Sequence, residues 1–97
     1  MIDKQKWGEI LGEIEELCDF HEDATCGFRK CSEFNNRVLS LLAKYEDMKC
    51  YQISDRLMDV LGYCSPRIAS HCDNARVVKG ILERIKDKVR RNLSEYE

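Results

Sequence analysis

Residues 66–96 read PRIASHCDNARVVKGILERIKDKVRRNLSEY, and this stretch decides the fold. Ile68, Cys72, Ala75, Val78, Leu82, Ile85, Val89, Leu93 and Tyr96 recur at steps of three and four. That period puts them on one face of an α-helix, with charged residues on the other. Ser65-Pro66 is a start signal: a capping serine, then proline at the first helical position, where its missing N–H costs nothing. An unbroken helix from Pro66 covers roughly 30 residues, about 45 Å at 1.5 Å per residue. Asp73-Asn74 offers a second capping point, which would split off a short helix over 66–72.

The same rhythm runs upstream. A first helix is expected over about residues 3–22, with Trp7, Ile10, Leu11, Ile14, Leu17, Cys18 and His21 on its buried stripe. Asp23-Ala24-Thr25 reads as a tight reversal, with Thr25 capping the next helix. That second helix continues to about Asp47 on Phe28, Cys31, Phe34, Val38, Leu41, Leu42 and Tyr45. A third covers roughly 50–61 through Cys50, Ile53, Leu57, Val60 and Leu61, with Gly62 in the usual place of a left-handed cap. Short connections make consecutive helices antiparallel neighbours. The expectation is an all-α protein: a single domain over 1–97, a small antiparallel bundle of four helices (five if the last one splits) with a long C-terminal helix.

Composition agrees with a helical bundle. The 97 residues are 43% hydrophobic and 35% charged, with one proline and five glycines, which leaves little room for a linker or a low-complexity segment. No apolar run approaches the ~20 residues that span a bilayer, so no membrane is expected. The segment Met1–Lys6 carries no secretory apolar region, and the cytoplasm is the expected compartment. Gly8 and Gly12 share a face of the first helix at a cost of ~1 kcal/mol each, which a close neighbouring helix would explain.

Charge is unevenly spread. Residues 1–33 hold nine acids against four bases, a balance of −5; residues 34–66 are neutral; residues 67–97 carry eight bases against five acids, or +3. An acidic end can therefore meet a basic end, within the fold or across an interface. The candidate interaction surfaces are Glu9, Glu13 and Glu16 on the first helix and Lys86, Arg90 and Arg91, with Tyr96, at the basic end. A C-terminal helix of ~45 Å would outreach its companions and project an apolar stripe, which implies a homo-oligomer, a dimer first.

Six cysteines in 97 residues is a high count. In a reducing compartment they are expected to stay as thiols, with a structural disulfide as an alternative, and five of them fall on apolar stripes, where a reduced cysteine behaves as a small hydrophobe. Cys18, His21, Cys26 and Cys31 offer a C-x2-H-x4-C-x4-C set suited to tetrahedral zinc. Its gaps resemble those of the CCHC zinc knuckle, but the order of cysteine and histidine is reversed and the glycine pattern is missing. No cofactor is expected, with zinc at these four residues the one alternative.

No cysteine–histidine arrangement offers a nucleophile with an oriented base, and an enzyme is not expected. Ile53-Ser54-Asp55-Arg56-Leu57 followed by Ser65-Pro66-Arg67-Ile68 resembles the helix-turn-helix of LuxR-type regulators. That resemblance implies a DNA-binding reading over residues 53–79, with Arg67, Ser70, His71 and Asn74 facing bases and Lys79 and Arg76 near phosphates. It departs where geometry matters: seven residues separate Leu57 from Ser65, where the family has about two, and a net charge of −2 suits phosphate poorly. The leading expectation is a non-enzymatic protein-interaction or oligomerisation module with a protein partner. The alternatives are that DNA-binding regulator and an oligomeric binder of a small anion such as a nucleotide, with Tyr51 or Tyr63 stacking on a base.

Overall fold

The computed structural model describes residues 3–25, 31–63 and 74–95. Among these the chain forms four helices and no strand: α1 (Lys4–Thr25), α2 (Cys31–Asp47), α3 (Tyr51–Tyr63) and α4 (Ala75–Ser94). Each helix packs on the next and α4 closes back on α1, so the four stand in cyclic order around one core. Contacts at both ends set the directions. Glu13 of α1 meets Lys44 near the end of α2, and Phe20 meets Phe34 near its start. Asn74 bonds to Tyr63, and Asn92 to Gln52. Lys79 near the start of α4 reaches Glu22 near the end of α1. Every neighbouring pair is antiparallel, the up-down-up-down bundle expected for short connections.

The stripes of three and four fill the core. Ile14, Val38, Ile53, Leu57, Val60, Val78 and Val89 are wholly excluded from water, with Tyr45 and Phe34 the largest side chains among them. Each such aliphatic side chain contributes roughly 1.5–3 kcal/mol through burial. Hydrogen bonds at the termini complete the backbone. Asp3 Oδ1 accepts from the Lys6 N–H at 2.9 Å, capping α1 at its N-terminus. At the end of α2 the Cys50 N–H donates to the Tyr45 carbonyl at 2.8 Å and the Lys49 N–H to that of Glu46 at 3.0 Å. This is the Schellman pattern, and it holds Lys49 at φ 59°.

The structure corrects several sequence expectations. Asp23-Ala24-Thr25 is no reversal: α1 continues through Thr25, whose Oγ1 donates to the Glu22 carbonyl at 2.9 Å, so Thr25 ends one helix instead of capping another. Ala24 consequently joins the core, and Phe20 joins it on the flank that faces α2. Gly62 is no cap either, because α3 runs on to Tyr63. Asn74 stands at the N-cap of α4 with φ −99° and ψ 11°, so α4 begins at Ala75 and no single helix runs unbroken through Asn74. Ser65-Pro66, Ile68, Cys72, Phe28 and Tyr96 lie outside the described residues.

The expected overhang is also absent from the described residues. α4 has 20 residues and α1 has 22, so the two are matched in length. Val89 is fully buried and Leu93 packs against the core. The premise that a projecting C-terminal stripe demands a second chain therefore falls.

Gly8 and Gly12 have no close neighbour: a Cβ at either would meet nothing within 4 Å. Gly12→Ala is expected to raise stability by up to about 1 kcal/mol, read as a higher urea midpoint at unchanged slope. Lys49→Gly relieves a left-handed L-residue and is expected to add about 1 kcal/mol; an unchanged or lower midpoint would show that the Lys49 side chain stabilises the turn.

Candidate functional site

The phase of α4 follows from its buried face. With Val78, Leu82, Ile85 and Val89 inward, Arg84, Lys88 and Arg91 at i, i+4 and i+7 fall on the flank toward α3. On α3, burial of Ile53, Leu57 and Val60 turns Asp55, Arg56 and Asp59 toward α4 in the same way. The two flanks enclose an open cleft of about 680 Å³ floored by Ile53 and Ile85. At one end Asn92 Nδ2 donates to Gln52 Oε1 at 3.3 Å and closes the seam. At the other, Asn74 Nδ2 donates to the Tyr63 carbonyl at 3.1 Å.

The cleft is cationic. Four guanidinium or ammonium groups, from Arg56, Arg84, Lys88 and Arg91, stand against two carboxylates, Asp55 and Asp59. Among the described residues none of the four cations has a carboxylate within 4.0 Å. Cations gathered in a concave, partly apolar wall focus a positive potential that attracts and orients carboxylates or phosphates.

The expected acidic surface splits. Glu9 pairs loosely with Lys6 at 3.7 Å and remains exposed. Glu13 turns inward: Lys44 Nζ donates to its Oε2 at 2.7 Å, and the buried Tyr45 hydroxyl to its Oε1 at 3.3 Å. Burial, then the Glu13 charge, pushes the Tyr45 hydroxyl far above the ordinary tyrosine range, so it stays a donor. Glu13 is thus a clamp between α1 and α2. Glu16 lines a second, smaller groove of about 320 Å³ with Arg37 and Ser40 of α2.

The expected basic surface divides too. Lys86 is only 17% exposed and pairs with Glu83 at 3.2 Å, Arg90 lies 3.9 Å from Asp87, and Arg91 alone reaches the cleft. Arg56, Arg84 and Lys88 were not among the expected site residues. Their spacing was visible, but the joint phase of α3 and α4 was not.

The DNA-reading set is not assembled among the described residues. Asn74 is spent on Tyr63, Lys79 on Glu22 at 3.4 Å, and Arg67, Ser70 and His71 lie outside. α3 and α4 pack antiparallel, whereas a helix-turn-helix crosses at about 90–120° over a turn of three or four residues.

For zinc, Cys18 and His21 share α1, Cys31 opens α2, and Cys26 lies outside the described residues. Among those described, no three metal-ligating side chains converge. Cys18, Cys31 and Cys50 are free thiols. Burial pushes the Cys18 and Cys50 thiols up, so both are protonated at neutral pH and poor ligands or nucleophiles. His21 is 4% exposed, its ring 5.0 Å from that of Phe34 and its Nε2 without a hydrogen-bond partner among the described residues.

Comparison with protein families, curated proteins and solved structures finds no match to this chain. No described helix is long and apolar enough to cross a membrane.

His21, buried away from the cleft, gives the stability of the bundle a pH dependence. Burial, with Lys79 adding to it and Glu22 opposing, holds its pKa below 6.5. The unfolded chain therefore takes up the proton first, and stability falls as pH drops through the unfolded pKa near 6.5 toward the lower folded value. In His21→Leu the histidine part of that acid-side decline should vanish as pH falls from 7 through the unfolded pKa near 6.5. Chemical denaturation at several pH values checks it; parallel curves for both proteins would show that His21 is not the group responsible.

Proposed function

We propose that this chain is a non-enzymatic protein-interaction module whose α3–α4 cleft docks an acidic segment of its partner. The single observation behind this reading is the set of four cations, Arg56, Arg84, Lys88 and Arg91, unpaired among the described residues along one apolar-floored cleft. Two features favour a polypeptide over a compact anion. The cations extend along two helical turns instead of converging on a point, and Asp55 and Asp59 share the wall with them. A phosphate-sized ligand gains nothing from nearby carboxylates, while a peptide of mixed charge can pair with both signs and rest apolar side chains on Ile53 and Ile85.

The test is fluorescence anisotropy with a labelled glutamate-rich peptide that contains leucine, with ATP and duplex DNA as competitors. The peptide should bind in a salt-dependent way. Arg84→Glu with Lys88→Glu should weaken it by about tenfold or more, which corresponds to 1.4 kcal/mol. Helicity should stay unchanged, since both side chains lie on the surface. Absence of peptide binding, or insensitivity to the double reversal, overturns the reading. Displacement of the peptide by ATP or DNA at far lower concentration than the peptide's own Kd would assign the cleft to that anion instead.

A further inference from the structure

We infer that the occupant of the α3–α4 cleft is the acidic outer face of α1 from a second copy of this chain. The inference rests on the docking role given above to the cleft and names its partner. The bundle turns Ile10, Ile14 and Leu17 inward, which leaves Glu9, Glu15, Glu16 and Asp19 of α1 exposed. Two of these carboxylates repeat with the spacing of the cleft cations: Glu15 and Asp19 are four residues apart, as are Arg84 and Lys88. Both pairs are α-helical and rise 1.5 Å per residue, so they match over one turn, about 6 Å. The cleft itself runs along α3 from Gln52 to Asp59.

Within one molecule the two surfaces cannot meet. α1 neighbours α4 and α2 but not α3, while the cleft opens between α3 and α4. The contact is therefore heterologous, with different patches on the two copies, and such contacts propagate into chains or rings instead of closing as a two-fold dimer. The contact is built from exposed charges, so the association is weak, electrostatic and easily screened.

Sedimentation of the full chain tests this. At low salt the average mass should climb above 11.4 kDa as concentration rises. In about 1 M salt, where the screening length is about 3 Å, it should return to the monomer. Arg84→Glu with Lys88→Glu should be monomeric at low salt, and so should Glu15→Lys with Asp19→Lys. Mixed, the two double variants should associate, because each then offers the surface that the other lacks. Recovery on mixing excludes simple misfolding as the cause of the losses. A wild-type chain that stays monomeric at every concentration overturns the inference, as does an unchanged mass after the α1 reversal. If the monomeric wild type still captures the glutamate-rich peptide, the cleft keeps its docking role and only the second copy is ruled out.

Discussion

Everything displayed on this protein's surface depends on one constraint: four apolar stripes must face a common axis at once. Ile14 of α1, Val38 of α2, Leu57 of α3 and Val89 of α4 are each fully excluded from water. Rotating any helix by a single residue, about 100°, would carry its stripe into solvent and lose several side chains' worth of burial at roughly 1.5–3 kcal/mol each. The core therefore sets the phase of every helix. Phase in turn decides which charges line a seam and which face outward, so the cationic cleft is a by-product of how Val78, Leu82, Ile85 and Val89 are buried.

The fold was legible where periodicity carried it and obscure where single residues decided. Three- and four-residue steps gave the stripes of α2, α3 and α4 nearly as they stand. Phe20 escaped because it lies on the flank of α1 that turns toward α2, covered by the Arg37 guanidinium 4.5 Å above its ring and by Phe34. Polar Asp23 and Thr25 imitate a turn, yet a helix tolerates both when Ala24 is buried between them. Glycine at position 62 suggests the left-handed position, which occurs instead at Lys49, since the Schellman bonds from Cys50 and Lys49 can impose that conformation on a residue that does not prefer it.

The candidate site was harder to read for a related reason. Glu9, Glu13 and Glu16 form one stripe in the sequence, and nothing local distinguishes the middle one. Only the pairing of α1 with α2 brings Lys44 and Tyr45, 31 and 32 residues away, onto Glu13. Likewise Lys86, Lys88, Arg90 and Arg91 look equivalent along the chain, but the phase of α4 sends Lys86 to a half-buried place beside Glu83 and Lys88 into the cleft. Sequence spacing tells which residues share a helix face; it does not tell which neighbour that face meets.

The uneven charge of the chain makes the same point at larger scale. An acidic first third and a basic last third would be neutralised internally if α1 and α4, which are neighbours, turned their charges toward each other. They do so at Lys79–Glu22. Arg84, Lys88 and Arg91 turn instead toward α3, where no carboxylate among the described residues comes within 4.0 Å, and Glu15, Glu16 and Asp19 stay exposed on α1. Exposed ion pairs within one molecule are worth little, about 0–1 kcal/mol, so folding gains almost nothing from completing the neutralisation. Opposite charges left on separate faces instead create two complementary potentials on one small surface, and such potentials act on whatever approaches from outside.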